Sequence, residues 1–258
     1  MGDAADLLQL SGSELDIRRF GSGPDLLYLH AHLGHWKTQP FLDELAKSFS
    51  LIVPSHPGFE ASPVNPDLNS VEDLAYLYLD LLDALALKNL KVAGSSLGAW
   101  IALSMAIKND SRIASLALID PVGAHFGGPE EPGVGDIFSM GENEFATLGF
   151  ADDSIGRKPY NDMTDDELLV SSRNREAAAR YAWMPPLYDP KLAQRLRRVT
   201  VPTLVLWGEA DRITARPYAD RMTAAIPGAT LETIPGAGHF PAMEQPKDTA
   251  ARITAFFS

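Results

Sequence analysis

Lys91-Val92-Ala93-Gly94-Ser95-Ser96-Leu97-Gly98-Ala99-Trp100-Ile101-Ala102-Leu103 is the stretch on which the reading of this chain turns. It predicts a short buried strand at Val92-Ala93, a tight turn, and an apolar helix beginning near Leu97. The turn has the form G-x-S-x-G, with Gly94, Ser96 and Gly98 in the fixed places. A sharp strand-to-helix turn lifts the central side chain out of the sheet and holds it at a helix N-terminus. Small residues two before and two after it let the chain bend and let strand and helix pack closely. The N–H of Leu97 has no acceptor inside the helix and is available to an oxyanion. The pattern alone is loose, because Ser95 and Ser96 also suit a helix cap.

Working outward, the chain alternates strand and helix signals. Leu7–Leu10 and Leu15–Arg19, separated by Ser11-Gly12-Ser13, predict a leading antiparallel pair. Leu26–Leu29, Leu51–Val53 and Leu116–Ile119 are continuous apolar runs, as strands buried on both faces require. A helix starts at Phe41. Another is predicted from Asn69-Ser70 to about Leu87, with Asp73 in the place of a capping-box Glu. The pattern resumes at Pro202–Trp207, then a helix near 215–225, a strand at Thr230–Ile234, and a last helix at about Lys247–Phe257. Such alternation predicts an α/β class fold: a mostly parallel central sheet flanked by helices.

Between residues 124 and 199 the alternation stops. An acidic helical stretch (Thr164–Val170) precedes a separate Arg/Ala helix (Ser172–Trp183), which Met184-Pro185-Pro186 ends. The expected organisation is a core of residues 1–123 and 200–258 with a helical cap or lid at 124–199.

Composition narrows the function. The 258 residues carry a formal charge of −12, which repels phosphate backbones and anionic membranes. The expected partner is therefore a small molecule, with no nucleic acid and no membrane. There is no cysteine, so thiol nucleophiles and Cys-based metal sites are excluded. No signal-peptide pattern is visible and no apolar run nears the ~20 residues of a membrane span, so a cytoplasmic location is expected.

Ligands of parallel α/β sheets bind beyond the carboxyl ends of the strands. Ser96, Asp211, His239 and the His30–His35 loop all fall there. A serine hydroxyl is a weak nucleophile unless a base takes its proton, and the base needs a carboxylate to fix its tautomer. Ser96, His239 and Asp211 supply those three parts. Each also has a plainer use: Asp211 as a helix cap, His239 as a loop residue satisfying backbone groups. Asp120 also ends a strand and is an alternative acid. Glu209 and Arg212 read as solvated neighbours of Asp211.

The order Ser, Asp, His, each after a strand, resembles the α/β-hydrolase superfamily, in which serine hydrolases with a helical cap are found. The matching pieces are Gly94-Ser95-Ser96-Leu97-Gly98, Trp207-Gly208-Glu209-Ala210-Asp211, and Gly238-His239 followed by Glu244-Gln245-Pro246. The resemblance runs from about residue 15 to the end, the cap excepted. It implies the α/β-hydrolase fold, with Ser96 as nucleophile, His239 as general base and then acid, and Asp211 as orienter. It implies oxyanion donors at Leu97 and at His32, or Leu33 if the loop shifts, and no metal or organic cofactor. The chain departs from the family at His30-Ala31-His32-Leu33-Gly34, where His-Gly usually opens the oxyanion loop.

The implied activity is hydrolysis of a small carboxylic ester, lactone or thioester through an acyl-enzyme on Ser96. Two alternatives share the scaffold: a C–C bond hydrolase of the meta-cleavage type, and a non-catalytic ligand-binding or receptor protein. Leu33, Trp36, Phe126, Phe138, Trp183 and Phe240 are candidate pocket residues; packing is the plainer use of each. Arg173, Arg175 and Arg180 either meet a carboxylated substrate or form a solvated helix face. A rival reading takes His30, His32 and His35 as zinc ligands of a metallo-β-lactamase-like H-x-H-x-D-H motif. Gly34 stands where that motif needs Asp, and the strand–helix alternation does not suit that fold.

Overall fold

The computed structural model describes residues 5–108, 111–127, 133–157 and 160–258. In chain order the elements are β1 (Ala5–Leu10), β2 (Ser13–Gly21), β3 (Asp25–Leu29), α1 (Gln39–Leu45), β4 (Ser50–Pro54), α2 (Val71–Ala84), β5 (Leu90–Ser95), α3 (Leu97–Ile107) and β6 (Ile113–Ile119). Then follow α4 (Glu142–Gly149), α5 (Asp153–Gly156), α6 (Asp165–Ala182), α7 (Leu192–Arg195), β7 (Thr203–Gly208), α8 (Arg216–Ala225), β8 (Thr230–Ile234), α9 (Pro241–Glu244) and α10 (Pro246–Phe257).

The strands form one eight-stranded sheet in the order β1-β2-β4-β3-β5-β6-β7-β8. β1 and β2 pair antiparallel, β2 joins β4 antiparallel, and every later pair is parallel. Side chains alternate between two cores, as the two-residue period of a strand demands. Leu26, Tyr28, Leu51, Val53, Ala117, Leu204 and Leu206 meet α1 and α10 on one face. Leu27, Leu29, Ile52, Val92, Leu116, Leu118 and Val205 meet α2, α3 and α8 on the other. That double burial is why these strands read as unbroken apolar runs. α3 is buried along its whole length, which fits a helix that is apolar on every side.

The chain leaves β3 towards β4 on one side, then crosses to β5 on the other. The adjacent ends of β3 and β5 are thus a topological switch point, where an open sheet leaves a crevice. The His30–His35 loop follows β3 and the Ser96 turn follows β5, so both open into that crevice.

Among the described residues, no strand lies between β6 and β7, and α4 to α7 fill that insertion. The two helices expected at 164–170 and 172–183 are one helix, α6. Thr164 and Glu167 form a full capping box at its start, and nothing between 170 and 172 breaks it. The start of α2 is capped as expected by Ser70, which accepts from Asp73 N–H; Asp73 returns a bond to Asn69 N–H instead of the Ser70 backbone.

The turn at Ser96 depends on contact distances no larger residue tolerates. A Cβ on Gly98 would lie inside the van der Waals radius of the Leu29 carbonyl oxygen, and one on Gly94 would sit 2.5 Å from the Gly98 carbonyl oxygen. Gly98→Ala is therefore expected to cost at least about 2 kcal/mol, since the clash is with backbone that cannot rotate away. Urea denaturation of the variant measures this, and an unchanged midpoint would contradict the packing described.

Candidate active site

Ser96 is the residue between β5 and α3, with φ +50° and ψ −110°. That backbone region is costly for a residue with a Cβ, by roughly 1–3 kcal/mol. It persists because both neighbouring elements are fixed: Ser96 N–H donates to Ile119 O at 2.8 Å, and its carbonyl accepts from Trp100 N–H at 3.1 Å. The strained turn brings the hydroxyl to the imidazole of His239, in the loop after β8, with Oγ 2.9 Å from Nε2. His239 Nδ1 lies 2.8 Å from Asp211 Oδ2, in the loop after β7. Ser96, Asp211 and His239 are thus brought into one hydrogen-bonded line, and all three are buried.

Asp211 is itself held by the backbone and hydroxyl donors of its own loop. Oδ1 accepts from Ile213 N–H (2.8 Å) and Thr214 N–H (3.2 Å), and Oδ2 accepts the Thr214 hydroxyl (2.5 Å). Burial pushes its pKa up, but the His239 charge and the bonds from His239 and Thr214 outweigh that and hold it below the ordinary value. It is ionised at neutral pH and able to fix the tautomer of His239. Asp120 ends β6 beside this pair, and its oxygens accept from Gly208 N–H at 3.0 and 3.3 Å. Arg212 is exposed as expected but is not merely solvated: its guanidinium donates to Thr147 O and, at 3.2 Å, to Phe150 O.

The His30–His35 loop does not gather a zinc ligand set. His30 Nδ1 faces Ala31 O at 2.7 Å, and its Nε2 accepts from His56 N–H at 3.0 Å. His35 points elsewhere, its Nε2 lying 3.0 Å from both Ser55 Oγ and Glu60 Oε2. Among the described residues, the group of His and acidic side chains whose ligand atoms converge is Asp120, Asp211 and His239. The loop histidines are instead structural. Burial lowers the pKa of His30 to about 4 and that of His56 well below its usual value, so both are neutral.

Glu60 and Asn174, which sequence reasoning missed, and Glu244, which it read only as part of a matching motif, hold the loops around this line. Glu60 Oε1 accepts from the N–H of His35 (2.6 Å) and of Trp36 (3.1 Å). Asn174 on α6 donates to Leu33 O at 3.0 Å and accepts from Glu60 N–H at 2.9 Å. Glu244 accepts from Gly238 N–H and Ala151 N–H, both at 2.7 Å, joining the His239 loop to the insertion. His239 N–H donates to Gly149 O across the same seam at 2.7 Å. Asn174 carried a legible signal: it occupies a buried-face position of α6 with Ala177, Ala178, Tyr181 and Ala182, spaced i, i+3, i+4, i+7, i+8. Glu60, in an aperiodic loop, carried none.

Above the loop is a cavity of about 820 Å3, mouth included. His32, Leu33, Trp36, Phe138, Phe145 and Met243 are among its walls, with Lys37 and Arg175 among its polar groups. His32 touches both this cavity and the aromatic cluster of Phe145 and Phe240 beside His239. Ser96 and His239 do not line the cavity, and Ser96 has no exposed surface. Phe240 lies behind the wall, stacked on Phe150. Two candidate pocket residues are elsewhere: Phe126 packs on Tyr218, and Trp183 is 57% exposed at the end of α6. Of the three arginines, Arg175 faces the cavity, whereas Arg173 and Arg180 line a separate surface groove.

Asn174→Ala removes two bonds and leaves the part-buried Leu33 O and Glu60 N–H without this partner, so a loss of about 1–2 kcal/mol in unfolding free energy is expected by urea titration. The buried neutral histidines set a pH dependence. The unfolded chain protonates His30 near pH 6.5 while the folded protein resists until about 4, so stability is lost as pH falls between those values. The shift corresponds to about 3 kcal/mol. By pH 5 about 2 kcal/mol of this should be lost relative to pH 8 in urea denaturation, and His30→Gln should flatten the difference; an equal pH dependence for the two proteins would contradict it.

Residues 26–252 match the model of the Alpha/beta hydrolase family. The dihydrolipoyllysine-residue acetyltransferase component of the acetoin cleaving system of Cupriavidus necator is 27% identical over 247 residues, covering 92% of this chain and 64% of that protein, so this chain spans under two thirds of its length. A 2-hydroxy-6-oxo-6-phenylhexa-2,4-dienoate hydrolase of Burkholderia cepacia is 27% identical over 275 residues, covering 96% of this chain and 92% of that one. The solved structure of a thermophilic esterase from Thermogutta terrifontis superposes with a TM-score of 0.76 at 26% identity, covering 97% of this chain and 96% of that one. No described helix is long and apolar enough to cross a membrane. The chain belongs to the alpha/beta hydrolase family.

Proposed function

We propose that this protein is a serine hydrolase of small carboxylic esters, acting through an acyl-enzyme on Ser96. The observation that carries the reading is the continuous line Ser96 Oγ, His239, Asp211, with bonds of 2.9 and 2.8 Å. In this reading His239 takes the Ser96 proton as the oxygen attacks the ester carbonyl. The tetrahedral oxyanion is met by the N–H groups of Leu97 and His32. Leu97 N–H opens α3 and so carries the helix dipole as well. His239 then gives its proton to the departing alkoxide. Water, deprotonated by the same imidazole, cleaves the acyl-enzyme and restores the serine. Asp211 stays ionised throughout and stabilises the imidazolium.

The apolar cavity beside His32 suits an acyl or alcohol group, and the insertion 124–199 acts as its cap. C–C bond hydrolysis is the second reading, favoured by the likeness to the Burkholderia cepacia hydrolase. Both use the same triad, but C–C cleavage expels an enolate that takes its proton at carbon, where ester hydrolysis expels an alkoxide.

The test is direct. The wild type should be labelled by a fluorophosphonate probe and should turn over p-nitrophenyl acetate or butyrate. Ser96→Ala should lose the label and at least about 10³-fold in kcat. Turnover undiminished in Ser96→Ala would end this reading. Efficient cleavage of a vinylogous diketone, with esters turned over poorly, would favour the second one.

A further inference from the structure

Asp120 is a carboxyl group without the partner a buried charge requires. It has no exposed surface, and its bonded donor is a single backbone N–H, that of Gly208. Among the described residues, the groups that act on it are Asp211 from the loop after β7, His239 from the loop after β8, and Glu244 from α9, with no lysine or arginine. Its backbone is held at φ +41°, with Asp120 N–H bonded to Leu206 O at 2.9 Å. This conformation keeps the side chain beside the end of β7 and not out in solvent. One ligand atom each from Asp120, Asp211 and His239 lies within 4.8 Å of the other two.

The chemistry of that cluster is specific. Two carboxylates this close cannot both ionise in a buried site. Burial first, and then the charge of Asp211, raises Asp120 well above the carboxylate range, whereas Asp211 is lowered by His239. Asp120 is therefore the protonated member, with a carboxyl oxygen within 4.8 Å of one of Asp211. An Asn or Ser would satisfy Gly208 N–H equally well, so that bond alone does not call for a carboxyl group.

We propose that Asp120 is a positioning residue of the site, a second carboxyl group that braces Asp211 and becomes the partner of His239 Nδ1 when Asp211 is removed. The proposal rests on the triad reading given above. In the intact protein Asp120 donates its proton to Asp211. With Asp211 gone, the repelling charge is gone too, and the carboxyl group that remains within reach of the imidazole ionises and accepts the Nδ1–H.

The experiment compares Asp120→Asn, Asp211→Ala and the double variant, with thermal melting to confirm folding. Asp120→Asn alone should lower kcat about threefold, because its amide still donates to Asp211. Asp211→Ala should lower kcat about 10²-fold and regain activity as the pH is raised and Asp120 ionises. The double variant should lose at least about another tenfold and show no such recovery. If Asp211→Ala does not fold, the isosteric Asp211→Asn, with and without Asp120→Asn, is read in the same way. Equal kcat for the single Asp211 variant and the double variant at every pH would overturn the proposal. A second readout separates it from the triad reading: the low-field proton resonance of His239 Nδ1–H should persist in Asp211→Ala and vanish in the double variant, whatever Ser96→Ala does to turnover. Loss of that resonance already in Asp211→Ala would refute the role of Asp120 even if Ser96 proves to be the nucleophile.

Discussion

The close approach of α3 to the ends of β3 and β5 is the constraint on which the rest of the molecule depends. Without a side chain at Gly98, the first turn of α3 sits against the Leu29 carbonyl. That contact forces the intervening residue into a left-handed conformation and projects the Ser96 hydroxyl towards the loop after β8. Every further feature of the site answers to this placement. The His30–His35 loop begins one residue beyond Leu29, so the same contact also fixes how close the start of that loop lies to the first turn of α3.

The fold was legible because its physics is local. β3, β4, β6 and β7 are buried on both faces, and a strand so buried must be apolar at every position. The turn at Ser96 was legible from its short glycine pattern, although only Gly94 answers to a neighbour along the chain; Gly98 answers to the carbonyl of Leu29 on β3. Asp211 and His239 could be placed because each follows a strand, and the strand ends define one edge of the sheet. The struts were less legible. Glu60 and Glu244 act on backbone N–H groups of distant loops, and nothing in their own neighbourhood marks that duty. Trp183 misled because an aromatic residue beside an apolar helix face looks like pocket lining, whereas it stands past the last buried turn of α6.

The histidines show how far residue type alone carries an argument. Three of them spaced over six residues suggest a metal site, yet His30 and His35 are turned into separate hydrogen-bonded contacts, and His32 alone reaches the cavity wall. Burial keeps His30 and His56 neutral, and each then has one ring nitrogen to donate and one to accept. Neutral imidazoles are used here as rigid two-ended connectors, stacked on one another at a centroid distance of 3.7 Å. Their role is to make the loop after β3 stiff.

The seam at Glu244 carries a last consequence. One carboxylate clasps Gly238 and Ala151 together, and the peptide of His239 is tied to Gly149 beside it. The 149–151 segment is therefore welded to the imidazole's own backbone. Displacing that segment outward would pull the His239 backbone with it and lengthen the contact between its imidazole and the Ser96 hydroxyl. The insertion and the loop after β8 therefore move as one piece at this point, and either can shift alone only by breaking these three bonds.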